Sequence, residues 1–228
     1  MHILLVAATP FELAPLVLEL SSRSSDMDSD TFDLGSVQVT PLITGVGLHA
    51  AAWHLGRTLL QGSYDLVLNA GIAGAFDRSL ELGTVVYVES EQFGDLGVEE
   101  SDGSFSSLIE LGLQNPDTPP FTGGKLLNPE AAEIHFLPKV QGLSVNKVSG
   151  SQEGIDALQT KYPGAQIESM EGAAVFYGCL LAQIPFMEIR SISNYVEPRN
   201  REAWNLPLAI DRLNQTLLDF LETLIESN

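Results

Sequence analysis

Short runs of β-branched and aliphatic residues alternate with helical stretches along the whole chain, and this alternation restricts the fold to the α/β class with strands joined by crossover helices. The runs cover 3–8, 37–44, 66–70, 84–90, 143–148 and 186–192. Helical periodicity covers 11–20, 48–61, 152–161, 171–182 and 206–225, with Gly or Pro at most junctions. At 228 residues the chain is long enough for one such domain and short for two, so a single domain over 1–228 is expected. Residues 31–34 pair with 37–44 as a hairpin around Gly35-Ser36. Two stretches read as irregular, 21–30 and 94–124, and the second is expected to be an insertion near the site.

Charge narrows the partners. A formal net charge of −19 repels polyanions, which argues against non-specific nucleic-acid or anionic-membrane binding and leaves a small molecule as the expected ligand. Apolar runs stay too short to span a bilayer, and the start, Met1-His2-Ile3-Leu4, lacks the positive flank of a signal peptide and reads as a buried first strand. The single cysteine, Cys179, sits in an apolar helical stretch and cannot build a disulfide framework; a reducing cytoplasm is the expected location.

Several segments carry residues suited to chemistry. In Thr9-Pro10-Phe11-Glu12, after the first strand, Glu12 can close a capping box on Thr9, or it can hold and deprotonate a water at the carboxyl end of a parallel strand. Thr44-Gly45-Val46-Gly47 and Asn69-Ala70-Gly71-Ile72-Ala73-Gly74 read as glycine turns that reverse the chain or let backbone approach a ligand. Neither completes a dinucleotide fingerprint or a P-loop, so no NAD or ATP is expected. In Glu168-Ser169-Met170-Glu171, Glu171 either complements the dipole of the following helix or accepts hydrogen bonds from two vicinal hydroxyls. Asn194 follows the run 186–192 as a turn residue or a ligand contact, and Trp204 is either core or pocket wall.

Taken together and in this order, Glu12, Gly45-Val46-Gly47, Asn69 to Gly74, Met170-Glu171 and Arg190-Ser191-Ile192-Ser193-Asn194 resemble the purine nucleoside phosphorylase-like superfamily, most closely its hydrolases. The resemblance implies a three-layer α/β/α fold with a central mixed sheet, and N-glycosidic hydrolysis without cofactor or metal. It also implies a purine nucleoside as substrate and a homo-oligomer. Carried over residue by residue, Glu12 would activate water and Asn194 would act on the departing base. Ile72, Ala73 and Gly74 would border the substrate, Met170 and Glu171 would bind ribose, and Trp204 would line the 5′ pocket.

The superfamily's phosphorylases hold phosphate with Gly and Arg after the first strand and an Arg before the central glycine segment. Here those places are Ala7-Ala8-Thr9-Pro10 and Asn69, so water is the expected nucleophile. Adenine-releasing members carry Asp where this chain has Asn194; an Asn can donate to a 6-oxo group and accept from a protonated N7, the pattern of hypoxanthine. An adenine-releasing nucleosidase, a phosphorylase and a non-catalytic nucleoside-binding protein are the competing readings. The family's aromatic base platform has no counterpart after Val148-Ser149-Gly150, and for the hydrolases resembled here whose nucleoside carries a benzoate at its 5′ end, Arg78, Arg199 and Arg201 stand as unranked partners of that group.

Overall fold

Ile3 to Ala7 are apolar and buried on both faces, the pattern of an interior parallel strand. β1 (His2–Ala7) takes that place between β3 (Gln38–Ile43) and β4 (Leu66–Ala75), parallel to both. The computed structural model describes residues 1–25 and 30–227. Part of the irregular stretch 21–30 therefore lies outside the described residues, while its first three residues close α1 (Pro10–Arg23). The expected hairpin forms where β2 (Phe32–Asp33) pairs antiparallel with β3, turning at Gly35 with φ 88°.

Five strands close on one another. β4 pairs with β12 (Phe186–Tyr195), β12 with β5 (Val85–Phe93), β5 with β10 (Lys139–Ser144), β10 with β11 (Ile167–Ser169), and β11 returns to the end of β4. The ring mixes parallel and antiparallel pairs. Alternation sends successive β1 residues to opposite layers: Ile3 and Leu5 pack under α1 and α5 (Leu206–Ser227), while Leu4 and Val6 pack under α2 (Leu48–Gln61) and α4 (Gly172–Ala182).

α2 and α3 (Gln152–Lys161) have the bounds expected from periodicity. Three strands differ. β4 runs on to Ala75 and β12 to Tyr195, straight through segments that read as turns, because their glycines and Asn194 stay paired with each other across the ladder: Gly71 opposite Arg190, and Gly74 opposite Asn194 after a register shift. β10 ends at Ser144, so the run 143–148 is the end of a strand and the loop after it.

The stretch 94–124 folds into short hairpins, β6 (Gly97–Glu99) with β7 (Phe105–Ser107), and β8 (Phe121–Thr122) with β9 (Lys125–Leu127), the last extending the sheet from β5. It does not border the site as expected. Its residues instead line a separate depression with Phe93 and Tyr177. Among the described residues, no helix is long and apolar enough to cross a membrane.

Candidate active site

The carboxyl ends of β1, β4, β11 and β12 converge on a cavity of about 500 Å³. Glu12, Ile72, Ala73, Gly74, Met170, Glu171, Asn194 and Trp204, the eight residues singled out from sequence, all line it. They come from segments as much as 192 residues apart in sequence, Glu12 against Trp204.

Glu12 closes the helix start and still faces the cavity. Its Oε2 accepts from the Thr9 backbone N–H at 2.9 Å and from the Thr9 hydroxyl at 3.0 Å, which closes the capping box. Its Oε1 accepts from the Ile72 N–H at 3.2 Å. Two lone pairs of Oε2 are used and one of Oε1 remains, on a side chain that lines the cavity. The helix that carries Glu12 contains Pro15, and Asn214 of α5 braces it: the Asn214 amide donates to the Glu12 carbonyl at 2.8 Å and accepts from the Leu16 N–H at 3.0 Å.

Gly47, at φ 97°, turns its N–H onto Glu171 Oε1 at 2.8 Å, so the first glycine turn serves a site carboxylate. Glu171 Oε2 is left for other donors. Burial pushes the Glu171 carboxyl above the usual range, with the nearby Arg190 charge pulling it back. Glu168, also on the wall, accepts from the Ser149 N–H at 3.2 Å and hydroxyl at 2.7 Å, and burial raises it too.

The Asn194 amide has a fixed orientation. Its nitrogen donates to the Tyr195 carbonyl at 3.0 Å, and because that carbonyl can only accept, the amide oxygen must face the Ser193 hydroxyl, which donates to it at 2.8 Å. One N–H and one oxygen lone pair remain.

Beneath the cavity floor lies a charged cluster that sequence reasoning gave no role. Arg190 Nε donates to Glu188 Oε1 at 3.0 Å, and Asn69 donates to Glu188 Oε2 at 2.8 Å. Glu91 accepts from the Ser144 hydroxyl at 2.9 Å, and all four side chains are essentially buried. Burial, followed by the Glu188 charge, pushes the Glu91 carboxyl well up. A Cβ at Gly71 would collide with the Arg190 guanidinium and with Glu12 Oε1, so glycine is required there to let floor and site touch. The available signal was Glu188 and Arg190 two residues apart in an otherwise apolar strand, which places both on one face.

The phosphorylase superfamily model matches residues 2–226, and the chain belongs to that superfamily. Its relatives include futalosine hydrolase of Acidothermus cellulolyticus, 35% identical over 75% of this chain and 70% of that protein, and futalosine hydrolase of Thermus thermophilus, 32% identical over 75% and 76%. Within the superfamily the chain belongs with the futalosine hydrolases. It is also 29% identical, over 86% of its length and 87% of the relative's, to a 5′-methylthioadenosine/S-adenosylhomocysteine nucleosidase of Maridesulfovibrio salexigens. The S-adenosylhomocysteine nucleosidase of Streptococcus pyogenes, solved in complex with 5-methylthiotubericidin, shares the fold with TM-score 0.78 at 20% identity, covering 98% of this chain and 97% of that one.

Proposed function

We propose that the protein hydrolyses the N-glycosidic bond of futalosine, adding water across it to release hypoxanthine and leave the free ribosyl product. The observation that carries this reading is the Asn194 amide, held by Ser193 and Tyr195 with one donor and one acceptor still available in the cavity that Glu12 lines. The remaining N–H donates to the 6-oxo group of the departing purine and the oxygen accepts from its protonated N7. Glu12 Oε1 takes the proton of the attacking water, Glu171 Oε2 accepts from the ribose hydroxyls, and Met170 packs on the sugar face. The phosphorylase alternative is disfavoured by Asn69, which is buried and committed to Glu188, and by a floor whose one guanidinium is shared among carboxylates.

The test is chromatography of products from futalosine, inosine and methylthioadenosine in phosphate-free buffer. Hypoxanthine from futalosine is expected; adenine from methylthioadenosine in preference, or a requirement for phosphate, would overturn the reading. Asn194→Asp is expected to shift preference toward 6-amino purines by a factor that can approach about 10⁴, because buried polar groups mismatched to the base are left unpaired. Equal selectivity in variant and parent would remove Asn194 from base recognition. By superfamily resemblance the protein is further proposed to be a cytoplasmic homo-oligomer, which sedimentation velocity checks.

A further inference from the structure

The hydrolysis proposed above employs Glu12, Glu171 and Asn194 and leaves one buried carboxylate of the cavity wall, Glu168, without a task. Glu168 is only 6% exposed, and among the described residues no cation pairs with it. A carboxylate so placed is costly unless donors reach it. The Ser149 N–H donates to Oε1 at 3.2 Å and the Ser149 hydroxyl to Oε2 at 2.7 Å, which uses one lone pair of each oxygen and leaves one on each. Ser149 lines the same cavity, so the wall carries a fixed acceptor whose remaining capacity is open to a donor from a ligand.

The ladder fixes where that acceptor stands. Gly74 of β4 pairs with Glu168 of β11 on one side and with Asn194 of β12 on the other. Residues directly opposite one another project from the same face, so the two side chains flank Gly74 with their backbones two strand spacings, about 10 Å, apart. A Cβ at Gly74 would come within 3.0 Å of Asn194 Nδ2, so glycine keeps the gap between them open. Along the edge of hypoxanthine, N7, the 6-oxo group and N1–H follow in that order. Asn194 meets the first two, and the next group along the edge, a donor, then meets a side chain that accepts. Adenine has a lone pair at N1, to which a carboxylate offers only lone pairs of its own. We infer that Glu168 accepts the N1–H of the 6-oxopurine and is a second base-selecting residue of the site, with Ser149 holding its carboxylate in place. This rests on the nucleoside hydrolase reading.

The experiment is calorimetric binding of futalosine and its N1-methyl derivative, which differ at N1 alone, to a Glu12→Gln background that slows turnover. The readout is the ratio of the two affinities, which a merely structural role for Glu168 would not move, because it would weaken both nucleosides alike. With Glu168 present, futalosine is expected to bind on the order of tenfold to a hundredfold tighter, as for a hydrogen bond to a charged group. Glu168→Ala removes the acceptor and makes room for the methyl, and the ratio is expected to fall to within about threefold of one. Glu168→Gln, which keeps the size of the side chain, is expected to lower the ratio as well and carries the test if the Ala variant does not fold. A ratio near one with Glu168 present, or one that neither substitution lowers, would overturn the N1 contact and leave recognition by Asn194 intact. Failure of futalosine itself to bind would overturn the hydrolase reading and this inference with it.

Discussion

β12 separates two interiors that are filled in opposite ways. Met187 and Ile189 face the layer under α1 and α5, where Leu13, Leu16, Leu213 and Leu217 supply only apolar contact. Glu188 and Arg190, alternating with them, face the ring of strands beside Glu91 and Asn69. The first interior is stabilised in proportion to the area it removes from water. In the second, each charge is costly to bury and is tolerated only while its partners remain, so it contributes little net stability and a definite arrangement of groups under the cavity. The difference separates what holds the fold from what holds the site.

The largest expected effect is on turnover. Glu12→Gln should lower kcat about 10²- to 10⁴-fold in the hypoxanthine-release assay while the circular dichroism spectrum stays that of the parent. Retention of most activity would remove Glu12 from the proton-accepting role.

Arg190→Met is next. It leaves Glu188, Glu171, Glu12 and Glu91 without their shared cation and is expected to cost about 3–5 kcal/mol in urea unfolding. Replacing Glu188 as well, in Glu188→Leu with Arg190→Met, should recover much of that stability and none of the activity. A double variant no more stable than the single one would show that the charged interior does not depend on balance.

Leu217→Ala tests the other side. Fully buried in the apolar layer, it should lose about 2–5 kcal/mol, with kcat per folded molecule equal to the parent's. A parallel loss of kcat would mean that the two interiors are not separable.

The smallest effect is a slope. Because the Glu91 carboxyl is pushed up by burial and by Glu188, the folded protein retains a proton that the unfolded chain releases in the ordinary carboxylate range. Its contribution to stability is complete below that range and shrinks as pH rises toward the raised value, by up to about 1.4 kcal/mol per pH unit for one proton. Glu168 and Glu171, raised by burial, act in the same direction. Glu91→Gln should flatten the fall measured between pH 5 and 8; an unchanged slope would exclude Glu91 as its source.

Helix periodicity carried over to the structure because α2 and α3 obey local rules throughout: a glycine N-cap and C-cap bound α2, and Ser151 caps α3 with its hydroxyl accepting from the Gly154 N–H at 3.2 Å. The ends of β4 and β12 were illegible for the opposite reason. Gly71, Gly74, Ser193 and Asn194 are poor strand formers by propensity, and they are strand residues here because the β4–β12 ladder, formed between distant segments, continues through them. Closure of five strands into a ring depends on β11, only three residues long, which no periodicity marks. The site residues were legible as a set through order and resemblance, whereas the floor of Glu91 and Glu188 becomes visible only when β5 and β12 lie side by side.

The brace between Asn214 and the Glu12 turn spans 198 residues from Leu16 to Asn214. On the ribosome the segment bearing Glu12 emerges well before the helix that steadies it, so the proposed base gains its support only when α5 follows. Nascent chains halted before residue 206 would carry every other lining segment of the cavity, yet with Glu12 on an unbraced turn. Hydrolytic competence should therefore arrive in one step, with α5, rather than accumulate along translation.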